Sequence, residues 1–156
     1  MAGADAFHPD FPDDGAGSDA APAVRNRVRL IRSTELDSGT AQTDGMQRFA
    51  ALSGASVGSE KLWMGETIAS PSSASGNHHH GESETMIYVR AGHPEFVFSD
   101  GEREVRIQTN PGDYVFVPPL LPHREENPDP DVPAELVIAR STQEAIVVNL
   151  PALYAL

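Results

Sequence analysis

Three consecutive histidines and a nearby glutamate stand in one short stretch of the chain. In an extended chain, residues two apart point to the same side, so His78 and His80 can face one way while His79 faces the other. Glu84 begins the next predicted strand and can add a carboxylate on the same side. Two imidazoles and one carboxylate form a ligand set for divalent iron, and also for manganese, nickel or zinc. His123, which follows the next predicted hairpin, is a candidate fourth ligand.

These residues resemble the two sequence motifs of the cupin superfamily. The first motif reads G-x5-H-x-H-x3or4-E-x6-G, and His78, His80 and Glu84 fit its three-residue spacing. The second motif reads G-x5-P-x-G-x2-H-x3-N. Its spacings are occupied here by Gly112, Pro118, His123 and Asn127. The resemblance covers about residues 61 to 148, and it implies one metal ion bound by His78, His80, Glu84 and His123.

The sequence departs from the motifs at a few positions. Leu120 stands where the second motif has glycine, and Pro119 and Pro122 can stiffen that turn by another route. The leading glycine of the first motif lies too close to the histidines. The closing Gly92 comes one residue late, which predicts a bulge or register adjustment near Thr85.

Short β-prone runs separated by turn residues must position these ligands. The runs span 28–31, 48–52, 61–68, 86–89, 95–98, 105–107, 114–117, 136–139 and 145–148. No long segment shows helical periodicity. Short, regular strands favour a sandwich or closed barrel, and the resemblance implies an all-β, double-stranded β-helix (jelly-roll) cupin barrel. The aromatic and large apolar residues predicted to fill its core are Trp63, Met64, Tyr88, Phe96, Phe98, Tyr114 and Phe116.

The chain of 156 residues fits one domain, which we predict over 25–156. Residues 1–24 are mostly alanine, aspartate, glycine and proline, and we predict a disordered acidic tail. This segment lacks the basic and apolar regions of a secretory signal. No apolar run approaches the ~20 residues of a membrane span. We therefore expect a cytoplasmic protein.

Composition restricts the partners of the protein. The net charge is −12 with 11 basic residues, which disfavours nucleic acid and anionic membranes. There are no cysteines, so a metal ion must take nitrogen and oxygen ligands. We expect a small-molecule substrate or ligand and a homodimer. Small cupins commonly dimerise by exchanging N-terminal strands, and residues 27–31 can form such a strand.

Several polar residues remain undecided from the sequence. Arg90 and Arg140 lie within predicted strands, and either can face the interior and hold an anionic substrate or, more commonly, face solvent. Tyr88 and Glu66 are weak candidates for a general base, and no catalytic residue is assigned. Gln108, Glu125 and Asn127 are equally open.

Three functions are compatible with this pattern, since a fold does not fix a function. The first is a metal-dependent enzyme that acts on a small organic substrate, of the dioxygenase or the isomerase/epimerase type. The second is a non-catalytic ligand-binding or sensing cupin, although sensors usually carry a helix-turn-helix domain for which no helical segment is seen. The third is a structural barrel stabilised by its metal ion.

Overall fold

The computed structural model describes residues 28–143 and 146–156. The elements in chain order are β1 (Met46–Leu52), α1 (Gly54–Val57), β2 (Trp63–Ala69), β3 (Ser73–Ala74), β4 (His78–His79), β5 (Thr85–Ala91), β6 (Glu95–Ser99), β7 (Glu104–Gln108), β8 (Tyr114–Val117), β9 (His123–Asn127), β10 (Ala134–Arg140) and β11 (Val148–Asn149). The predicted tail over 1–24 and the predicted domain start at 25 lie outside the described residues.

Two antiparallel sheets face each other. One has the strand order β1-β2-β10-β5-β8, and the other has the order β11-β4-β9-β6-β7, with β3 paired to β9. Apart from β1-β2 and β6-β7, neighbouring strands are not consecutive in the chain, as in a jelly roll. The predicted all-β double-stranded β-helix is therefore confirmed.

The core lies between the sheets and follows the period of two that a half-buried strand requires. In β10, burial alternates strictly from Ala134 to Arg140, and β2 and β5 repeat the pattern. The main apolar cluster contains Trp63, Ile87, Val89, Phe96, Val117, Leu136 and Ile138. Polar residues at the inward positions of the same strands therefore lie inside the barrel.

Four of the aromatic and methionine side chains predicted for the core lie instead on the outer face of the first sheet. Tyr114 is 81% exposed and Phe116 is 53% exposed, and Met64 and Tyr88 are also exposed. Strand parity explains this correction, because Val115 and Val117 take the inward positions of β8. Trp63 and Phe96 are buried as predicted.

The predicted first strand over 28–31 does not form. Val28 and Leu30 are exposed, and no strand is assigned there. Besides its pairing with β2, β1 takes part in two isolated bridges, Asp37 to Ala50 and Thr43 to Met46. Within the described residues, the segment 28–31 pairs with no strand. None of the helices in the described part of the chain has the length and apolar character that crossing a membrane requires.

Candidate metal centre

Two neighbouring strands bring four potential ligands together inside the barrel. His78 on β4 lies directly opposite His123 on β9. His80 follows His78 by two residues and Glu125 follows His123 by two, so each pair shares a face. All four side chains are buried, with exposures from 0% to 3%, and one ligand atom from each lies within 4.8 Å of the others.

Backbone carbonyls fix the orientation of all three imidazoles. The Nδ1 atom of His78 lies 2.9 Å from the oxygen of Gly76, and Nδ1 of His123 lies 2.8 Å from the oxygen of Leu121. Nδ1 of His80 lies 2.9 Å from the oxygen of Ile146, which precedes β11. Because a carbonyl only accepts, each Nδ1 carries the proton and each Nε2 presents a lone pair.

The three Nε2 atoms and one carboxylate oxygen converge without a protein partner. The Nε2 atoms of His78, His80 and His123, and Oε2 of Glu125, are buried and lack hydrogen bonds. Nε2 of His78 lies 3.7 Å from Glu125, and Nε2 of His123 lies 3.8 Å from it. Buried polar atoms are nearly always satisfied, so four unpartnered acceptors that converge on one point fit a cation-binding site.

The geometry fits a first-row divalent metal ion. Imidazole and carboxylate ligands bind such ions at about 2.0–2.2 Å, which keeps ligand atoms within roughly 4.4 Å of one another. The four atoms here lie within 4.8 Å, so a small inward movement completes the site. Three nitrogens and one oxygen suit iron, manganese, nickel or zinc.

Burial and charge hold these groups in the protonation states that metal ligands need. Burial, followed by the positive charge of Arg140, lowers the pKa of His80 to about 2. Burial also lowers the pKa of His123. Burial alone would raise the pKa of Glu125, but its attraction to His78, His123 and Arg48 outweighs this effect and lowers that pKa. The imidazoles of His80 and His123 are therefore neutral and the Glu125 carboxylate is ionised near pH 7, as metal binding requires.

The structure groups the three histidines with Glu125, whereas the sequence predicted Glu84 as the carboxylate ligand. Glu84 is exposed and lies outside the cluster, and its backbone N–H donates to Oγ of Ser141 at 3.0 Å. Thr85 takes the inward position, with 0% exposure. In the first motif, six residues separate the glutamate from the closing glycine. Six residues separate Thr85 from Gly92, so the spacing of the glycine already indicated that Thr85, and not Glu84, takes the inward position. The observed register shift lies opposite Glu135 and Leu136, at the other end of β5.

Glu125 is the residue that sequence reasoning left undecided. The same rule that paired His78 with His80 applies on β9, where Glu125 follows His123 by two residues and shares its inward face. The signal was therefore present in the sequence. It was missed because β9 was not recognised as a strand.

The other residues that the sequence left undecided differ in whether their side chains face the barrel interior or the solvent. Arg140 points inward, whereas Arg90 points outward and binds Glu66 and Glu135. Tyr88 also lies on the outer face, so neither proposed base reaches the cluster. Asn127 is buried but donates to backbone oxygens, including that of Ala69 at 3.1 Å. Two remaining residues lie outside the cluster: His79, which accepts from the N–H of Gly81, and the exposed Gln108.

Two non-glycine residues adopt the left-handed conformation where the cupin motifs place glycine. Leu120 has φ of 63° in the turn before His123, and Ser72 has φ of 50° six residues before His78. The N–H of Leu120 donates to the oxygen of Gly81 at 2.7 Å and links the two motifs. The motif turns are therefore retained with strained residues.

A closed double-stranded β-helix with a buried cluster of three histidines and one glutamate defines a small jelly-roll protein with a candidate metal centre. Residues 66–140 match the family model of the cupin domain, which places this segment in the cupin superfamily. No curated protein sequence matches the chain.

Solved structures with the same fold include bacterial oxalate decarboxylases. The chain is 18% identical to the Bacillus subtilis oxalate decarboxylase at pH 4.6, with a TM-score of 0.60 over 70% of this chain and 28% of that chain. It is 16% identical to the Lactobacillus farciminis oxalate decarboxylase formate complex, with a TM-score of 0.61 over 70% and 32% of the two chains. The chain therefore spans less than a third of these enzymes, and the likeness shows the fold alone.

Proposed function

We propose that this cupin is a metal-dependent enzyme that acts on a small organic substrate inside the barrel. The observation that carries the proposal is the convergence of three unpartnered Nε2 atoms on an ionised, buried carboxylate. His78, His80, His123 and Glu125 would hold one divalent ion. When bound, the ion would polarise a coordinated substrate oxygen or, if redox-active, support oxidation by dioxygen.

An open coordination sphere distinguishes a catalytic site from a structural one. Four ligands leave up to two positions free in an octahedral site, and all four lie on, or directly after, the strands β4 and β9 of the second sheet. The facing sheet contributes further buried polar atoms without partners, on Thr67, Thr85 and Arg140. A site that served only as a staple would not need unsatisfied groups opposite the ion.

The interior groups favour oxygenase over isomerase chemistry. Isomerases and epimerases need a base that is free to move a proton at carbon. Among the described residues, the buried titratable groups are the four candidate ligands, Arg48 and Arg140. The ligands are committed to the ion, and burial lowers the pKa of Arg140 only to about 10. A reaction driven by the metal ion and an oxidant requires no such base.

The chain's own residues would then have two tasks. The backbone oxygens of Gly76, Leu121 and Ile146 hold the imidazole Nδ1 protons and keep each Nε2 aimed at the ion. Arg48, at 3.9 Å from Oε2 of Glu125, keeps that carboxylate ionised and oriented. In both cases a neighbouring group orients a metal ligand without contacting the ion itself, as is usual around metal centres.

Elemental analysis tests this proposal. Protein purified without a nickel column, or reconstituted with Fe²⁺ or Mn²⁺, is expected to contain about one ion per chain. The double variant H78A/H80A should contain none, whereas the control H79A should retain the ion because His79 lies outside the cluster. Oxygen consumption by the iron-loaded protein across oxidisable substrates then tests the reaction class. An ion that survives in the double variant, or no ion in the wild type, would reject the site.

Metal binding without turnover would instead support a ligand-binding or sensing role. A metal-dependent melting temperature, with neither ligand binding nor turnover, would support a structural role. Either result would overturn the enzymatic proposal while leaving the metal centre intact.

We also propose a homodimer and a cytoplasmic location. The outer face of the first sheet carries an apolar groove of about 500 Å³, lined by exposed residues that include Met86, Tyr114 and Phe116. Contiguous exposed apolar surface of this kind marks an interface, and a second copy can pair the same sheet face in an isologous contact. Light scattering on the full chain is expected to give a dimer, and F116E should give a monomer. A monomeric wild type would reject the interface.

A further inference from the structure

The wall facing the metal cluster contains an arginine without a protein acceptor. Arg140 is 2% exposed, and its Nε and Nη1 atoms have no hydrogen-bond partner. It lies opposite Thr85, whose buried Oγ1 atom also lacks a partner. Burying a cation without a counter-ion is strongly unfavourable, which indicates that Arg140 is kept inside the barrel to hold a partner.

Arg140 and the candidate ligands face the same interior from opposite sheets, because Arg140 takes a buried, inward position of β10 and His123 and Glu125 take inward positions of β9. The positive charge of Arg140 contributes to the lowered pKa of His80 and of His123. The Trp63 ring lies beneath the guanidinium, 5.4 Å from its carbon atom. A Cβ atom at Gly65 would collide with this ring. Because Gly65 has no side chain, the Trp63 ring can occupy the position in which it packs against the Arg140 guanidinium.

The interior has more positive than negative charge. Its buried arginine and carboxylate side chains, among the described residues, are Arg48, Arg140 and Glu125. One positive charge is therefore uncompensated, and a divalent ion raises the excess to three. Glu125 already interacts with Arg48 and the histidines, so Arg140 needs an external counter-ion.

We propose that the ligand of this site is a small carboxylate that bridges the metal ion and Arg140. This inference rests on the proposed metal site and specifies its substrate class. One oxygen occupies an open position at the ion, and the carboxylate accepts hydrogen bonds from Arg140 and the Thr85 hydroxyl. Arginine to carboxylate bonds are charge-assisted and strong, and the bound anion supplies the missing negative charge.

Calorimetric titration of the Mn²⁺-loaded full chain tests the proposal. Pyruvate should bind, and its neutral isostere pyruvamide should bind at least about 10-fold more weakly, because losing a charged hydrogen bond costs a factor of about 10 to 100. R140M should weaken pyruvate binding by a similar factor while its manganese content stays at wild-type level. R90M, the matched change on the outer face, should bind pyruvate normally.

The outcomes separate this inference from the proposed function. If manganese binds but pyruvate and pyruvamide bind equally, or R140M binds pyruvate as the wild type does, the carboxylate site is rejected and the metal site stands. If manganese does not bind to the wild type, the metal site itself fails. R140K serves where R140M does not fold, and it should also lower pyruvate affinity, because lysine keeps the charge but not the guanidinium geometry.

Discussion

The arginines on the two faces of the barrel differ in how their charges are compensated. Outside, Arg90, Arg106 and Arg124 each donate hydrogen bonds to two glutamates. These bonds raise the pKa of all three. Inside, the nearest carboxylate oxygen to Arg48 is 3.9 Å away, and Arg140 has two unpartnered nitrogens. Burial lowers the pKa of both inner arginines.

This difference shows which surface is complete in the isolated chain. The outer ion pairs satisfy each other at the surface, where they contribute modestly to stability. The inner groups form an incomplete set, with unpaired acceptors on one sheet and unpaired donors on the other. A cation between the acceptors and an anion beside the donors would complete both sets. Unsatisfied polar groups of this kind are retained at functional sites.

The largest expected contrast compares an inner and an outer glutamate. E125Q removes a direct ligand and should weaken Mn²⁺ affinity by at least about 100-fold, because even indirect partners of a metal ligand account for 10- to 100-fold. E84Q changes an exposed carboxylate and should leave affinity unchanged. Competition with a chelator measures both values. Equal effects of the two substitutions would show that the cluster containing Glu125 is not the metal site.

The inner histidines predict a pH dependence of stability in the metal-free protein. His80 has a folded pKa of about 2 and an unfolded value near 6.5, so its neutral form stabilises the fold above pH 6.5. This stability is lost as pH falls towards the folded pKa, by up to about 1.4 kcal/mol per pH unit. Urea unfolding between pH 7 and 5 should show the loss, and H80Q should flatten it. An unchanged slope in H80Q would contradict the assignment.

Replacing an inner and an outer arginine should affect the metal-free protein in opposite directions. R140M removes an unpaired buried charge and should leave the free energy of unfolding unchanged or raise it by about 1 kcal/mol. R90M removes a paired, partly exposed charge and should lower it by up to about 1 kcal/mol. Urea denaturation of both variants makes the comparison. A loss of several kcal/mol in R140M would mean that its guanidinium is already satisfied by the protein.

The smallest expected effect concerns the turn at Leu120, which connects β8 of the first sheet to β9 of the second sheet. Leu120 adopts a left-handed φ of 63°. This conformation is strained for a residue with a Cβ atom, whereas glycine adopts it freely. L120G should therefore be as stable as the wild type or more stable by up to about 1 kcal/mol. L120A, which retains a Cβ atom, should show no gain. Thermal unfolding compares them, and a clear loss in L120G alone would show that the Leu120 side chain contributes packing.

The sequence by itself determined the fold class and three of the four clustered side chains. Alternating runs predicted most long strands, because the period of two is a local consequence of burying one strand face. The spacing of His78 and His80 placed both on one face, and the cupin resemblance added His123. These features depend on neighbouring residues in the chain, which is why sequence alone was sufficient.

Only the tertiary structure decided which carboxylate joins the histidines and which arginine faces inward. Glu84 and Thr85 are adjacent, and a shift of one residue exchanges their faces. Arg90 and Arg140 both lie in β-prone runs, and only strand pairing fixes which one points into the barrel. The outward aromatic residues were misjudged for the same reason. Facing direction depends on register with strands distant in sequence, and no local pattern encodes that register completely.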